Sequence, residues 1–158
     1  MNTLTPTRYL LDTNIFVLYA RGSAASERIE SAFQLKTRPV TPLVCCVTVG
    51  EIYSFAKYNN WPEIKTQKAV GLTNNMSVIP LDLPQVYQAY AEIDNFSRKP
   101  GAGMSARKMG KNDLWIAAVT KATNATLLTT DTDFDHLSPT FINRICLCPR
   151  TGSILHQS

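Results

Sequence analysis

The sequence predicts an α/β fold: a three-layer α/β/α sandwich around a central, mainly parallel sheet of four to five strands, in a single domain over residues 1–158. Three observations predict it. Short apolar runs of strand length alternate with segments of helical period, the order that a parallel sheet with right-handed crossover helices requires. The second of these runs is apolar throughout, as a strand covered by helices on both faces is. With 158 residues, 44% of them hydrophobic, the chain can bury one core without disulfide or metal staples.

The elements follow in order. Tyr9-Leu10-Leu11 is a short apolar strand ended by Asp12, and Asp12-Thr13-Asn14 supplies capping side chains for a helix through Ile15-Phe16-Val17-Leu18-Tyr19. A second helix is expected from Ser23 to Phe33, then a proline-punctuated loop over Arg38 to Pro42 and a buried strand over Leu43 to Val47. At Thr48 the period changes. Ile52, Phe55 and Ala56 fall at helical spacing, and Thr48-Val49-Gly50-Glu51 has the form of a capping box, which places Glu51 in the helix's first turn. Trp61-Pro62-Glu63 opens a polar helix to about Asn74, Met76 to Leu81 is a third strand, and Pro84 to Phe96 is helical with Val86, Tyr90 and Ile93 on one side. Arg98 to Lys111, with its glycines and proline, reads as a loop. Beyond it Asp113-Leu-Trp-Ile-Ala-Ala-Val is apolar almost all round, a helix deeply packed or half in a dimer interface. Ala125 to Thr129 is a fourth strand, Asp131-Thr-Asp-Phe-Asp an acidic turn, and Ile142 to Leu147 a last, edge strand.

Composition excludes several classes of function. No run approaches the roughly 20 apolar residues of a membrane span, and the Thr-rich start lacks the order of a signal peptide, so a cytoplasmic location is expected. The cysteines stand as Cys45-Cys46 and Cys146-X-Cys148, and neither pair has structural-zinc spacing. Cys45 and Cys46 are expected as buried, reduced thiols on opposite strand faces. His136 and His156, in a turn and a frayed tail, have no ligand spacing and are expected at the surface. Gly101-Ala-Gly103-Met-Ser-Ala106 fits a dinucleotide-binding pattern only formally, because no strand precedes it.

Charge is unevenly distributed. Arg98, Lys99, Arg107, Lys108 and Lys111 account for five of the 16 cations, leaving 11 against 12 acids elsewhere, so the whole basic excess sits in one segment. Such a stretch attracts phosphate backbones, or is simply a solvated loop. The acids are arranged differently: Asp12 closes strand one, Glu51 and Asp113 open helices, and Asp131 closes strand four. Each alone could be a helix cap. Together, at the carboxyl edge of one sheet, they would repel one another unless a cation or protons neutralise them. An oxygen-only cluster suits a hard divalent ion, Mg²⁺ or Mn²⁺.

These residues carry a resemblance. Leu10-Leu11-Asp12-Thr13-Asn14, Thr48-Val49-Gly50-Glu51, Asn112-Asp113-Leu-Trp-Ile-Ala-Ala and Leu128-Thr129-Thr130-Asp131-Thr132-Asp133-Phe134 resemble, in order and over nearly the whole chain, the motifs of PIN domains. More closely they resemble VapC-type toxins of toxin–antitoxin pairs. The resemblance implies that Asp12, Glu51, Asp113 and Asp131 form a catalytic and metal-binding quartet, Asp12 and Asp113 ligating directly, with Asp133 a candidate fifth acid and Asn14 and Thr130 in support. It implies a Mg²⁺- or Mn²⁺-dependent endoribonuclease acting on RNA, dimeric, and held inactive by a cognate antitoxin. The glycine-rich basic insert before Asp113 departs from the family pattern, and Arg98, Lys99, Arg107, Lys108 and Lys111 are expected to position the RNA backbone. Two readings stand beside this one: an RNA-processing or DNA nuclease without an antitoxin, and a non-catalytic RNA- or protein-binding module whose acids only cap helices.

Overall fold

The computed structural model describes residues 6–158. The first five residues of the Thr-rich start therefore lie outside the described part of the chain. In order the elements are β1 (Tyr9–Leu11), α1 (Thr13–Ala20), α2 (Ala24–Phe33), β2 (Leu43–Cys45), α3 (Cys46–Tyr58), α4 (Glu63–Gly71), β3 (Ser77–Ile79), α5 (Pro84–Arg98), α6 (Lys111–Thr123), β4 (Thr126–Thr129), β5 (Asn143–Leu147) and β6 (Ile154–Gln157). Short 3₁₀ turns cover Leu72–Asn75 and Thr132–Leu137.

The strands form one sheet in the order β3-β2-β1-β4-β5-β6, the first five parallel and β6 antiparallel to β5. Alternation along the strands divides the core in two. Leu10, Leu43, Cys45 and Leu127 face one layer, where α5 and α6 bring Val86, Ile93 and Ile116. Leu11, Val44, Leu128 and Leu147 face the other, against Ile15, Phe16 and Ile29 of α1 and α2, Ile52 of α3 and Ala69 of α4. The three layers are thus those expected. Truncating one of these side chains, as in Leu127→Ala, should cost roughly 2–5 kcal/mol.

Helix α6 explains its apolar sequence by its position. Residues 116–120 are almost completely buried between the sheet and α5, so deep packing accounts for its apolar character. Thr120 satisfies its hydroxyl on the Ile116 carbonyl at 2.8 Å.

Four expectations need correction. The sheet has six strands, and Ile142–Leu147, expected at the edge, is flanked by β6. The hairpin leading to β6 depends on Gly152, whose φ is 69° and where an added Cβ would meet the Ala25 carbonyl oxygen at 2.7 Å. His156 accordingly sits in β6, not in a frayed tail. It accepts from Nη1 of the buried Arg144 at 2.7 Å, while Arg144 Nη2 lies 3.0 Å from Asp135. His136 is half-buried against Ser97, its Nε2 2.9 Å from the hydroxyl. Finally, α3 begins at Cys46 directly from β2, so Cys46 is a half-buried helical residue, Thr48 is no N-cap, and Glu51 lies in the second turn. All four cysteines are free, and burial pushes the Cys45 thiol up to about 12.

Candidate metal centre

Strand order determines where the acids meet. From β1 the chain builds outward through β2 to β3, then crosses back to place β4 on the other side of β1 and continues outward to β5. The carboxyl ends of β1 and β4 are therefore a switch point, where the connections diverge and leave a crevice. Asp12 follows β1 and Asp131 follows β4 by two residues.

Asp12 is 3% exposed. Its backbone N–H continues the sheet ladder onto the Leu128 carbonyl at 3.0 Å, and its extended backbone makes it the N-cap of α1. One carboxylate oxygen accepts from the Thr13 N–H at 2.7 Å, the other from the Thr129 hydroxyl at 2.8 Å. The capping interpretation is thus correct as far as it goes. Yet burial, and after it the charges of Asp113 and Asp131, raise the Asp12 carboxyl to about 7 against the pull of those two hydrogen bonds.

Asp113 stands at the third position of α6, as expected, half-buried. Burial, then the charges of Asp131, Glu51 and Asp133, push it up to about 6. Among the described residues no donor hydrogen-bonds its carboxylate. Gly110, the N-cap of α6, comes so close that an added Cβ would lie 3.1 Å from Asp113 Oδ2. Asp131 caps the 3₁₀ turn by accepting from the Asp133 N–H at 2.8 Å, and its own N–H donates to Thr129 Oγ1 at 2.9 Å. One carboxylate oxygen from each of Asp113, Asp131 and Asp133 lies within 4.8 Å of the others. Glu51 completes the group, with one oxygen accepting from the Asn112 amide at 2.8 Å and the other from the Thr13 hydroxyl.

All five predicted acids thus come together from four separate segments. Their grouping differs in one respect from the expectation. The tightest set is Asp113, Asp131 and Asp133, while Asp12 lies buried behind it and Glu51 is hydrogen-bonded on both oxygens. Asn14 and Thr130 line a groove of ≈ 1000 Å³ together with Thr13, Glu51, Asn112, Phe55, Tyr58 and Arg21. The threonine bonded to Asp12 is Thr129. Sequence reasoning also missed Thr13, Thr48, Gly110 and Asn112. The sequence signal for Thr13 and Asn112 is adjacency to Asp12 and Asp113, and that for Thr48 is its spacing to Glu51.

The basic segment behaves otherwise. Arg98 ends α5 and is paired with Asp94 at 2.9 Å. Lys99, Arg107, Lys108 and Lys111 are exposed, without ion pairs among the described residues. The loop is tied at its base, where Arg107 N–H donates to the Ser97 carbonyl at 2.7 Å and Met109 is buried.

An oxygen-only donor set, with two carboxyls raised by burial and then by their neighbours' charges, and one without a hydrogen-bond donor among the described residues, is what a hard divalent cation would relieve. Among the described residues no helix is long and apolar enough to cross a membrane.

The PIN domain family model matches residues 9–138. By structure the chain is similar to a chain of VapBC2 from Rickettsia felis, bound to a DNA fragment from its promoter, with a TM-score of 0.68, 21% identity, and coverage of 86% of this chain and 96% of that one. A chain of VapBC-1 from nontypeable Haemophilus influenzae gives a TM-score of 0.68 at 24% identity, covering 89% and 98%. DNA-bound VapBC from Salmonella typhimurium gives 0.69 at 18%, covering 90% and 99%. No curated protein matches by sequence.

Proposed function

The chain belongs to the PIN domain family, and from that premise we propose that residues 1–158 form a single nuclease domain, a metal-dependent endoribonuclease that hydrolyses RNA phosphodiester bonds and serves as the toxin of a type II toxin–antitoxin module. The observation that carries the reading is the convergence of Asp12, Glu51, Asp113, Asp131 and Asp133 at the sheet's switch point, where Asp12 and Asp113 are held far from their ordinary carboxylate range. Carboxylates that only capped helices would have no reason to crowd. The shared fold with chains of three VapBC complexes supports the toxin assignment and a cognate antitoxin as partner.

Asp113, Asp131 and Asp133 would hold the ion, with Asp12 directly behind them. When bound, Mg²⁺ or Mn²⁺ lowers the pKa of water and neutralises charge on the phosphate and leaving oxygens. Thr129 keeps Asp12 and the Asp131 backbone in fixed relation. The open groove lined by Glu51 and Asn112 has room for an extended RNA strand. Lys99, Arg107, Lys108 and Lys111 would add sequence-independent attraction for the backbone, Arg98 less so because Asp94 neutralises it. A homodimer working in the cytoplasm completes the proposal.

The test is cleavage of end-labelled RNA with Mg²⁺ or Mn²⁺, with EDTA, and with Asp12→Asn. Metal-dependent cutting lost in the variant is expected, together with toxicity on expression that the neighbouring gene's product relieves. Cleavage of DNA alone, or metal-independent cleavage, contradicts the proposal.

A further inference from the structure

Glu51, like Asp12, accepts on both carboxylate oxygens, but both of its donors are side chains brought from other helices. Its Oε1 accepts from Asn112 Nδ2 at 2.8 Å, and its Oε2 accepts from the Thr13 hydroxyl. The Thr13 hydroxyl in turn lies 3.0 Å from that of Thr48. A hydroxyl has one proton to give. If Thr13 spends its proton on Glu51, the contact with Thr48 can exist only with Thr48 as donor, and Thr48 is completely buried with no other side-chain partner among the described residues. The chain of donors runs one way, Thr48 to Thr13 to Glu51, and ends on a carboxylate that accepts on both oxygens. Such a carboxylate is fixed in rotation. The four residues come from three helices, α1, α3 and α6, with Asn112 adjacent to Asp113 and Thr13 adjacent to Asp12.

We infer that Thr13 and Asn112, backed by Thr48, are positioning residues that clamp the Glu51 carboxylate in one orientation beside Asp113, so that Glu51 acts on the metal centre from an outer position instead of as a movable direct ligand. This rests on the metal-dependent reading proposed above. It also gives Thr48 and Glu51, spaced like a capping box, a tertiary connection through Thr13 instead of a local one.

The experiment is a titration of the intact, metal-free protein with Mn²⁺ by calorimetry, for wild type, Glu51→Gln, Asn112→Ala, Thr13→Val and Thr13→Ser, each checked for folding by circular dichroism. Outer partners of metal ligands typically contribute about 10- to 100-fold in affinity. Asn112→Ala and Thr13→Val should each weaken Mn²⁺ binding by ~10-fold or more, and Thr13→Ser, which keeps the hydroxyl, should restore affinity to within ~3-fold of wild type. Asn112 is exposed, so Asn112→Ala remains informative if Thr13→Val fails to fold. Wild-type affinity in Asn112→Ala, or in Glu51→Gln, overturns the clamp while leaving the metal site standing. Failure of the wild type to bind Mn²⁺ overturns the metal-dependent reading itself, and the clamp with it.

Discussion

Two charged regions of this molecule are opposites in construction. The acids are scattered through 122 positions of sequence, from Asp12 to Asp133, yet the strand order gathers them into one crevice where each carboxylate is buried, hydrogen-bonded or crowded by another. The cations of residues 98–111 are clustered in sequence, yet the fold leaves them exposed on the end of α5, the loop after it and the start of α6, with one already neutralised by Asp94. Clustering of charge in sequence measures little; convergence enforced by a rigid sheet changes proton affinity and creates a demand for a cation. Consequences of altering the first region should therefore be large, pH-dependent and metal-dependent, and those of altering the second small and salt-dependent.

The largest effect is expected from Asp12→Asn and Asp113→Asn. Each should reduce metal-dependent RNA cleavage by more than the ~100-fold that bounds typical outer-partner losses, read in single-turnover assays at saturating Mn²⁺. Retained cleavage would erase the distinction between the two regions.

Next in size is stability against pH in metal-free protein. Asp12 and Asp113 have folded-state values of about 7 and about 6 against an ordinary 3.8, so the folded chain keeps protons that the unfolded chain has released. Where the folded state binds more protons, stability falls as pH rises, here across pH 4 to 7. Asp12 alone could account for on the order of 4 kcal/mol, an upper figure at ~1.4 kcal/mol per unit. Wild type should lose several degrees of Tm relative to Asp12→Asn between pH 5 and 8. Saturating Mg²⁺ or Mn²⁺ should recover it, since an ion at 100 times its Kd adds about 2.7 kcal/mol.

Gly110→Ala tests the tightness of the crevice. Its Cβ would press on Asp113 Oδ2 from 3.1 Å, so Mn²⁺ affinity should fall several-fold with little change in Tm. The smallest effect is expected from neutralising Lys99, Arg107 and Lys108 together. RNA binding should weaken and the slope of log affinity against log salt should flatten by about one for each phosphate that the protein no longer neutralises, while the metal-induced rise in Tm stays as in wild type.

The sequence made the sheet, its helices and the five acids legible because each leaves a local mark: an apolar run, a 3.6 period, a carboxylate at a strand end. Where the mark is absent the reading fails for identifiable reasons. Strand β6 is exposed along its whole length and carries no apolar alternation, so nothing in Ile154-Leu-His-Gln distinguishes it from a tail until Arg144 and the Gly152 turn hold it in place. The start of α3 at Cys46 was hidden because an apolar run can continue from strand into helix without a polar cap. Thr13, Thr129 and Asn112 are ordinary polar residues whose importance comes from neighbours up to 117 positions away, as between Asp12 and Thr129. That separation has no local signature.

The most direct test of the central claim, that the switch-point acids hold a divalent cation, is anomalous diffraction from crystals of the wild type and of Asp113→Asn grown with Mn²⁺. The account predicts a manganese peak among the carboxylates of Asp113, Asp131 and Asp133, beside Asp12, in the wild type and its loss in the variant. No peak there in the wild type, or an undiminished one in Asp113→Asn, would contradict it.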